Sequence, residues 1–337
     1  MNRVTRFRKK TTTGTVNGQP RREVLRRAMR RCEVLLLAVA VLLTVGGLQA
    51  NTASAAPGDF VNKTTSNTGA GLGSNTLRGV YVIGSTVYAA TTGGLSISTD
   101  GGATFTNKTT SNGLGDNFVN GVYAIDGAQD TVYAATFGGL SISTDGGATF
   151  TNMTTGNGLG HNFVSGVYAI DGTQDTVYAA TVGGLSISTD GGENFTNKTA
   201  LGNGLGSDSI SGVYAIDGTQ DTVYAATSGG LSISTDGGAT FTNKTAADNG
   251  LGSDSVSGVY AIDGTQDTIY AATSGGLSIS TNGGTSFTNK TALGNGLANN
   301  NVYGVYAIDG AQDTVYAATS RGLSISTDGG KTSQTRP

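Results

Sequence analysis

The chain has 337 residues, with 55 glycines, three prolines, one cysteine and no tryptophan. Residues 1–55 carry a net charge of +9 and residues 56–337 a net charge of −12, so the acidic body is not expected to bind nucleic acid, whose phosphates require positive charge. The single cysteine, Cys32, lies in the basic N-terminal part, which excludes disulfides and cysteine-based metal sites from the body.

Residues 1–55 have the layout of a secretory leader. A basic stretch at 26–31 precedes an apolar run at 34–45, and small residues follow, ending in Ala53-Ser54-Ala55. This order predicts a signal peptide cleaved after Ala55 and a bacterial protein that is secreted, periplasmic or at the cell surface. The alternative is an uncleaved membrane anchor, although the run is shorter than the roughly 20 residues that a membrane span needs.

A repeat of 45 or 46 residues fills the body. The string Leu-Ser-Ile-Ser-Thr-Asp-Gly-Gly begins at Leu95, Leu140, Leu185, Leu231 and Leu323, and at Leu277 with Asn282 in place of the aspartate. Within one unit, β-forming segments at 165–170, 176–181, 185–188 and 194–199 are separated by Asp-Gly and Gly-Gly turns, and no stretch has helical periodicity. Four antiparallel strands per repeat predict an all-β protein, a six-bladed β-propeller.

The hydrophobic pattern changes along each repeat. The first two strands are apolar on both faces and carry twelve of the thirteen tyrosines, which indicates burial between blades. An aromatic binding surface is the alternative interpretation of these tyrosines, but their strict periodicity favours packing. The third and fourth strands are more polar, so we expect them toward the rim of the propeller.

One propeller domain is predicted at 57–333, followed by a short tail at 334–337. Residues 60–65 copy the fourth strand of the first repeat, whereas the last repeat loses the pattern after Gly330. We therefore predict that the N-terminal segment joins the last blade as its outer strand and closes the ring, which hides sheet edges. A lost seventh blade is the alternative.

The turn after the third strand carries a known motif. Ser143-Thr144-Asp145-Gly146-Gly147-Ala148-Thr149-Phe150 resembles the Asp-box, S-x-D-x-G-x-T-W/F, which occurs in sialidases, sortilin-type receptors, xyloglucan hydrolases, photosystem assembly factors and sensor propellers of two-component regulators. The resemblance implies that the acidic residue is structural and accepts backbone N–H bonds. The corresponding positions are Asp100, Asp145, Asp190, Asp236, Asn282 and Asp328. Calcium binding is the alternative, but one aspartate supplies at most two of the six or more oxygens required.

Catalysis is not expected. The resemblance to sialidases would require an arginine cluster, and the body has only Arg78, Arg321 and Arg336. A glycoside hydrolase with two facing carboxylates, roughly 5–9 Å apart, is the alternative function. Its candidate acids lie in the connectors between repeats: Asp116, Asp208, Asp248 and Asp254. We expect no metal and no cofactor, and His161 has no recognisable catalytic partner.

Differences between the repeats collect in two places, the connector between blades and the residue before the Gly-Gly turn. Both should lie on one face, opposite the Asp-boxes, and binding sites usually lie on loops carried by a rigid scaffold. We predict a binding or scaffold module for a protein or a glycan, with neutral loop drift and a sensor acting through a separate chain as alternatives. The candidate binding residues are Asp116, Phe118, Phe137, His161, Phe163, Asp208, Asp254, Tyr303 and Arg321.

The fourth-strand sequence and its N-terminal copy at 60–65 also carry a repeated Asn-x-Thr sequon. The asparagines are Asn62, Asn107, Asn152, Asn197, Asn243 and Asn289. Glycan attachment is one interpretation in a eukaryotic secretory pathway. Duplication of one strand sequence is the interpretation that the bacterial leader favours.

Overall fold

The computed structural model describes residues 62–66, 71–331 and 334–335. The predicted leader and its cleavage site lie outside the described residues. In these described ranges, no helix has the length and apolar character that a membrane span requires.

Six four-stranded antiparallel sheets form the six predicted blades, and the strands of every sheet follow chain order. The first strands are β1 (Leu77–Ile83), β5 (Val119–Ile125), β9 (Val164–Ile170), β13 (Ile210–Ile216), β17 (Val256–Ile262) and β21 (Val302–Ile308). The second strands are β2 (Thr86–Thr91), β6 (Thr131–Thr136), β10 (Thr176–Thr181), β14 (Thr222–Thr227), β18 (Thr268–Thr273) and β22 (Thr314–Thr319). The six-bladed all-β prediction is thereby confirmed.

The third and fourth strands complete each blade. The third strands are β3 (Gly94–Ser98), β7 (Gly139–Ser143), β11 (Gly184–Ser188), β15 (Gly230–Ser234), β19 (Gly276–Ser280) and β23 (Gly322–Ser326). The fourth strands are β4 (Thr106–Lys108), β8 (Thr151–Met153), β12 (Thr196–Lys198), β16 (Thr242–Lys244), β20 (Thr288–Lys290) and β24 (Gln334–Thr335). The fourth strands are shorter than the sequence predicts, because the residues up to the box phenylalanine belong to the preceding turn.

One helical turn follows the fourth strand in five blades, which the sequence did not predict. Two are 3-10 turns, Thr110–Asn112 and Thr155–Asn157, and three are α-helices: α1 (Ala200–Asn203), α2 (Ala246–Asn249) and α3 (Ala292–Asn295). A threonine caps each turn; Thr199 Oγ1, for example, accepts the N–H of Gly202. Three or four residues are too short to show helical periodicity, which explains why the pattern contained no signal.

The core lies between blades and is repeated along the chain. Tyr178, Leu185 and Ile187 of the third blade pack against Ile210 and Phe241 of the fourth. The same arrangement recurs at the other described blade junctions. Each blade therefore buries its apolar faces only when it lies against its neighbours, as in repeat proteins generally.

The third strand is the third of four in every blade, as predicted, but it is buried, whereas its polar pattern suggested greater exposure toward the rim. Ser186 is fully buried; its hydroxyl accepts the N–H of Gly160 at 2.9 Å and donates to Asn197 Oδ1 at 3.1 Å. These hydrogen bonds compensate for burying the serine, because a buried hydroxyl with partners costs little. Alternation of apolar and polar residues was therefore a misleading guide to exposure here.

The outer strand of the last blade is not the predicted one. Gln334 and Thr335 of β24 pair with Ile325 and Ser324 of β23, the place that we assigned to residues 60–65. Backbone pairing does not need the missing aromatic residue, so loss of the motif did not mean loss of the strand. Phe60 and Val61 lie outside the described residues, and the segment 62–66 contains no strand.

The described N-terminal segment instead contacts the first blade. Lys63 Nζ donates to the carbonyl of Ala103 at 3.2 Å, and the N–H of Thr65 donates to Asn75 Oδ1 at 2.8 Å. Lys108 makes the same contact with the next blade, at Ala148. Residues 62–66 therefore sit against blade 1 as the end of a preceding blade would, while closure of the ring stays a prediction.

Backbone hydrogen bonds define two faces of the propeller. The N–H of Phe137, in the turn between second and third strands, donates to the carbonyl of Phe118 in the connector. At the other end, the N–H of Gly146 in the box turn donates to Asp130 O in the turn between first and second strands. We call these the connector face and the box face.

Candidate functional site

The box turns use their carboxylates internally. Asp236 accepts the Ser234 hydroxyl at 2.6 Å, and the N–H and hydroxyl of Thr240 at 2.9 and 2.6 Å. The hydrogen bond from Ser234, followed by those from Thr240, lowers the pKa of Asp236 to about 2. Asp100, Asp145 and Asp190 make equivalent bonds, and Asn282 and Asp328 accept the corresponding serine hydroxyl. The carboxylate therefore holds the turn together.

A hydrogen bond also joins each of blades 1 to 5 to the following blade on the box side. The hydroxyl of Tyr178, which is fully buried, donates to Asp221 Oδ2 of the following blade at 2.6 Å. Tyr88, Tyr133, Tyr224 and Tyr270 donate in the same way to Asp130, Asp175, Asp267 and Asp313. The tyrosines of the first strands pack ring to ring, with centroids 4.7–4.8 Å apart. Packing between blades is thus confirmed as the role of these tyrosines.

On the connector face, one variable position of each connector has a side chain that accepts the backbone N–H of the residue two positions later. Asp116 Oδ1 accepts the N–H of Phe118 at 2.7 Å, and His161 Nδ1 accepts the N–H of Phe163 at 2.8 Å. The equivalent side chains of the other four blades accept the same N–H: Ser74, Ser207, Ser253 and Asn299. Any short side chain with an acceptor can form this turn, so the variation at Asp116 and His161 is explained by local structure.

Local hydrogen bonding does not explain the variation at the positions of Phe118 and Phe137. Ser209 and Ser228 of blade 4 are joined by the backbone bond that also joins Phe118 and Phe137 of blade 2. The Ser228 hydroxyl is satisfied by Ser207 at 2.8 Å. Because the fold forms with serines at both positions, the phenylalanines are not needed for it.

Three phenylalanines meet on this face and form what we call the aromatic shelf: Phe118, Phe137 and Phe163. The Phe118 and Phe137 rings stack with centroids 4.1 Å apart, and Phe137 and Phe163 lie 4.5 Å apart. Phe137 is 39% exposed, and Val182, at the equivalent position of the next blade, is 41% exposed. Large apolar groups that share an exposed surface mark interaction sites more often than scattered ones do.

Arg78 adjoins the shelf and was not among the predicted site residues. Its guanidinium carbon lies 5.1 Å from the centre of the Phe118 ring, a cation–π arrangement. It was missed because it lies on the first strand of blade 1, outside the variable connectors. A signal was present, because the equivalent residues of the other blades, Asn120, Ser165, Ser211, Ser257 and Tyr303, are uncharged.

The remaining predicted residues do not join the shelf. Asp208 and Asp254 accept the first N–H of α1 and α2, at 2.6 Å each, and so cap these turns. Tyr303, which is 49% exposed, and Arg321 belong to blade 6. Among the described residues, neither makes a ring contact with the shelf. Of the predicted residues, the three phenylalanines are therefore the ones that lie together in ring contacts, and Asp116 and His161 hold the backbone of Phe118 and Phe163.

The sequon asparagines are part of the blade. Asn197 Nδ2 donates to the carbonyl of Gly183 at 2.8 Å, and its Oδ1 accepts the Ser186 hydroxyl. A Cβ added at Gly160 would lie 2.4 Å from Asn197 Oδ1, so the amide is closely enclosed. Asn107, Asn152, Asn243 and Asn289 make the same pair of bonds. These contacts favour a structural reason for the repeated sequon.

No protein-family model matches the sequence, and no curated protein matches it either. Solved propellers do match. The extracellular domain of the hybrid two-component system BT3049 from B. thetaiotaomicron is similar with a TM-score of 0.57 and 18% identity, over 74% of this chain and 33% of that one. An ancestral GH74 enzyme gives 0.54 and 17%, over 74% of this chain and 36% of the enzyme. YCF48 from Cyanidioschyzon merolae gives 0.51 and 18%, over 75% and 81%.

The chain thus spans about a third of the length of the regulator domain and the enzyme. At these identities the similarity shows the propeller fold alone. Because the set includes an enzyme and a regulator domain, the fold does not decide between binding and catalysis. The function therefore has to be inferred from the residues of the site itself.

Proposed function

We propose that this protein is a non-enzymatic binding module that acts outside the cytoplasm and holds a macromolecular partner on its connector face. One observation carries the proposal: the aromatic shelf reaches solvent, with Phe137 exposed and Phe118 and Phe163 half-buried, although blades 4 and 5 form the same turns with serine in place of phenylalanine. A contiguous cluster of apolar residues that reaches solvent and that the fold does not require is best explained by a partner that covers it.

The structural neighbours support this proposal at the level of the fold. One is the extracellular domain of a regulator, and another structure is YCF48 bound to D1 peptide, with a TM-score of 0.51 and 17% identity. The GH74 enzyme keeps a glycoside hydrolase as the alternative. Against it, all four candidate carboxylates have a role in loop structure: three accept a backbone N–H, and one accepts the Thr245 hydroxyl. The first three are Asp116, Asp208 and Asp254, and the last is Asp248.

The test compares the intact protein with the variant F118S/F137S/F163S, which copies the serines of blade 4 and should therefore fold normally. Both proteins are screened against a glycan array and a displayed peptide library. We expect ligands whose affinity falls about thirty-fold in the variant, the effect of losing a 2 kcal/mol contact residue.

The control is L201A/L293A, which removes two other exposed apolar side chains and copies the natural Ala247. It should bind as the wild type does. If no ligand distinguishes the shelf variant from the wild type, the proposal is wrong. Release of reducing sugars from polysaccharides, abolished by D116N, D208N or D254N, would establish the enzyme instead.

A further inference from the structure

We infer that the partner of the aromatic shelf is a polypeptide segment in which an apolar side chain lies next to a carboxylate, not a glycan. The inference rests on the proposed function, since it assigns the ligand class of the same site. Two features of the shelf support it, the arrangement of its rings and the charge of Arg78.

The three rings lie in a row, Phe118, Phe137 and Phe163, which we call the apolar ridge. Phe137 has Phe118 on one side at 4.1 Å, with an angle of 25° between the rings, and Phe163 at 4.5 Å with an angle of 37°. Phe118 also carries the guanidinium of Arg78. Part of the face area of Phe118 and Phe137 is therefore covered by these contacts, which leaves less open ring face than an isolated aromatic side chain has.

This arrangement does not suit a sugar ring. A sugar stacks its C–H bonds on an open aromatic face, where the negative side of the ring quadrupole lies. Rings that pack against one another offer apolar area with little open ring face. Aliphatic or aromatic side chains cover such area well. Val182 extends this area onto the next blade, since it is 41% exposed at the position equivalent to Phe137.

Arg78 adds a cation to the apolar ridge in a body with a net charge of −12. Its side chain is exposed, and among the described residues it forms no ion pair. The contact with Phe118 places the exposed guanidinium beside the aromatic shelf. That geometry suits a carboxylate, which a guanidinium can bind through two parallel hydrogen bonds.

The two features together select the ligand class. A neutral glycan would not use the charge of Arg78, and an acidic glycan has less apolar area than an aliphatic or aromatic side chain with which to cover the apolar ridge. A peptide with an apolar residue beside an aspartate, a glutamate or its own C-terminal carboxylate uses both. Charge complementarity should also make its association dependent on salt.

The experiment uses a library of linear peptides, displayed with free C-termini, which is selected on the intact protein in parallel with a glycan array. We expect enriched peptides to combine an apolar residue with a neighbouring carboxylate. Their affinity should fall about thirty-fold in F118S/F137S/F163S. It should fall about five- to tenfold in R78Q, and this second loss should shrink at high salt.

Arg78→Lys is the matched control, because it keeps the charge and loses the planar fork; it should bind between wild type and R78Q. Shelf-dependent binding of glycans but not of peptides would overturn the inference and leave the proposed function standing. Selected peptides without acidic groups, or unchanged affinity in R78Q, would overturn the carboxylate assignment. If neither library yields a ligand that depends on the shelf, both the inference and the proposed function fail.

Discussion

The hydrogen bond between Tyr178 and Asp221 should make a measurable contribution to stability. Tyr178→Phe removes the hydroxyl that donates to Asp221 Oδ2 at 2.6 Å from a fully buried ring. Hydrogen bonds to charged groups contribute about 1.5–3 kcal/mol. For a domain of this size each kcal/mol shifts the melting temperature by roughly 2–4 °C, so we expect a decrease of roughly 3–12 °C.

The chain contains a matched control for this substitution. Tyr316 has the same register in blade 6, but the next blade in a closed ring, blade 1, has Ser85 where the other blades have the aspartate. In the part of the chain that the structure describes, Tyr316 has no carboxylate partner. Tyr316→Phe should therefore change stability by less than about 0.5 kcal/mol. Thermal unfolding and urea titration of both variants test this, and equal losses would refute the assignment.

Two further predictions concern the box turns and the N-terminal segment. Asp236 has its pKa lowered to about 2 by the Ser234 and Thr240 hydrogen bonds, so its contribution is present above the unfolded value of 3.8 and is lost as the pH falls through about 2. Asp236→Asn should lower the melting temperature at pH 7 but hardly at pH 2; an equal decrease at both would contradict this. Deletion of 57–66 should lower the melting temperature by more than trimming residues 336–337, because it removes the contacts with Ala103 and Asn75. An unchanged melting temperature would refute that role.

The repeat made most of the fold predictable. The second strand of unit 165–199 was predicted at its observed bounds, Thr176–Thr181, because Asp-Gly and Gly-Gly turns flank it. The burial of the third strand was not, since Ser186 is buried through hydrogen bonds to partners that are 26 and 11 residues away. Alternation of apolar and polar residues shows which side chains share a face of the strand, but it does not show which neighbouring residues cover that face.

The site was predictable only in part, for a similar reason. Comparing repeats found Phe118, Phe137 and Phe163, because they differ from serines in otherwise copied turns. It could not separate them from Asp208 and Asp254, whose variation reflects helix capping. Arg78 is 40 residues from Phe118 in sequence, so their contact becomes visible only when neighbouring blades are placed side by side.

The most direct test of the proposed binding site is to locate where a ligand contacts the propeller. Hydrogen exchange of the intact protein, measured with and without a selected peptide at saturating concentration, maps that contact. We expect protection at 114–120, 136–140 and 159–165, with the box turns of the same blades unchanged. Protection confined to the box face, or to blades 4 and 5, would contradict the assignment of the shelf as the binding site.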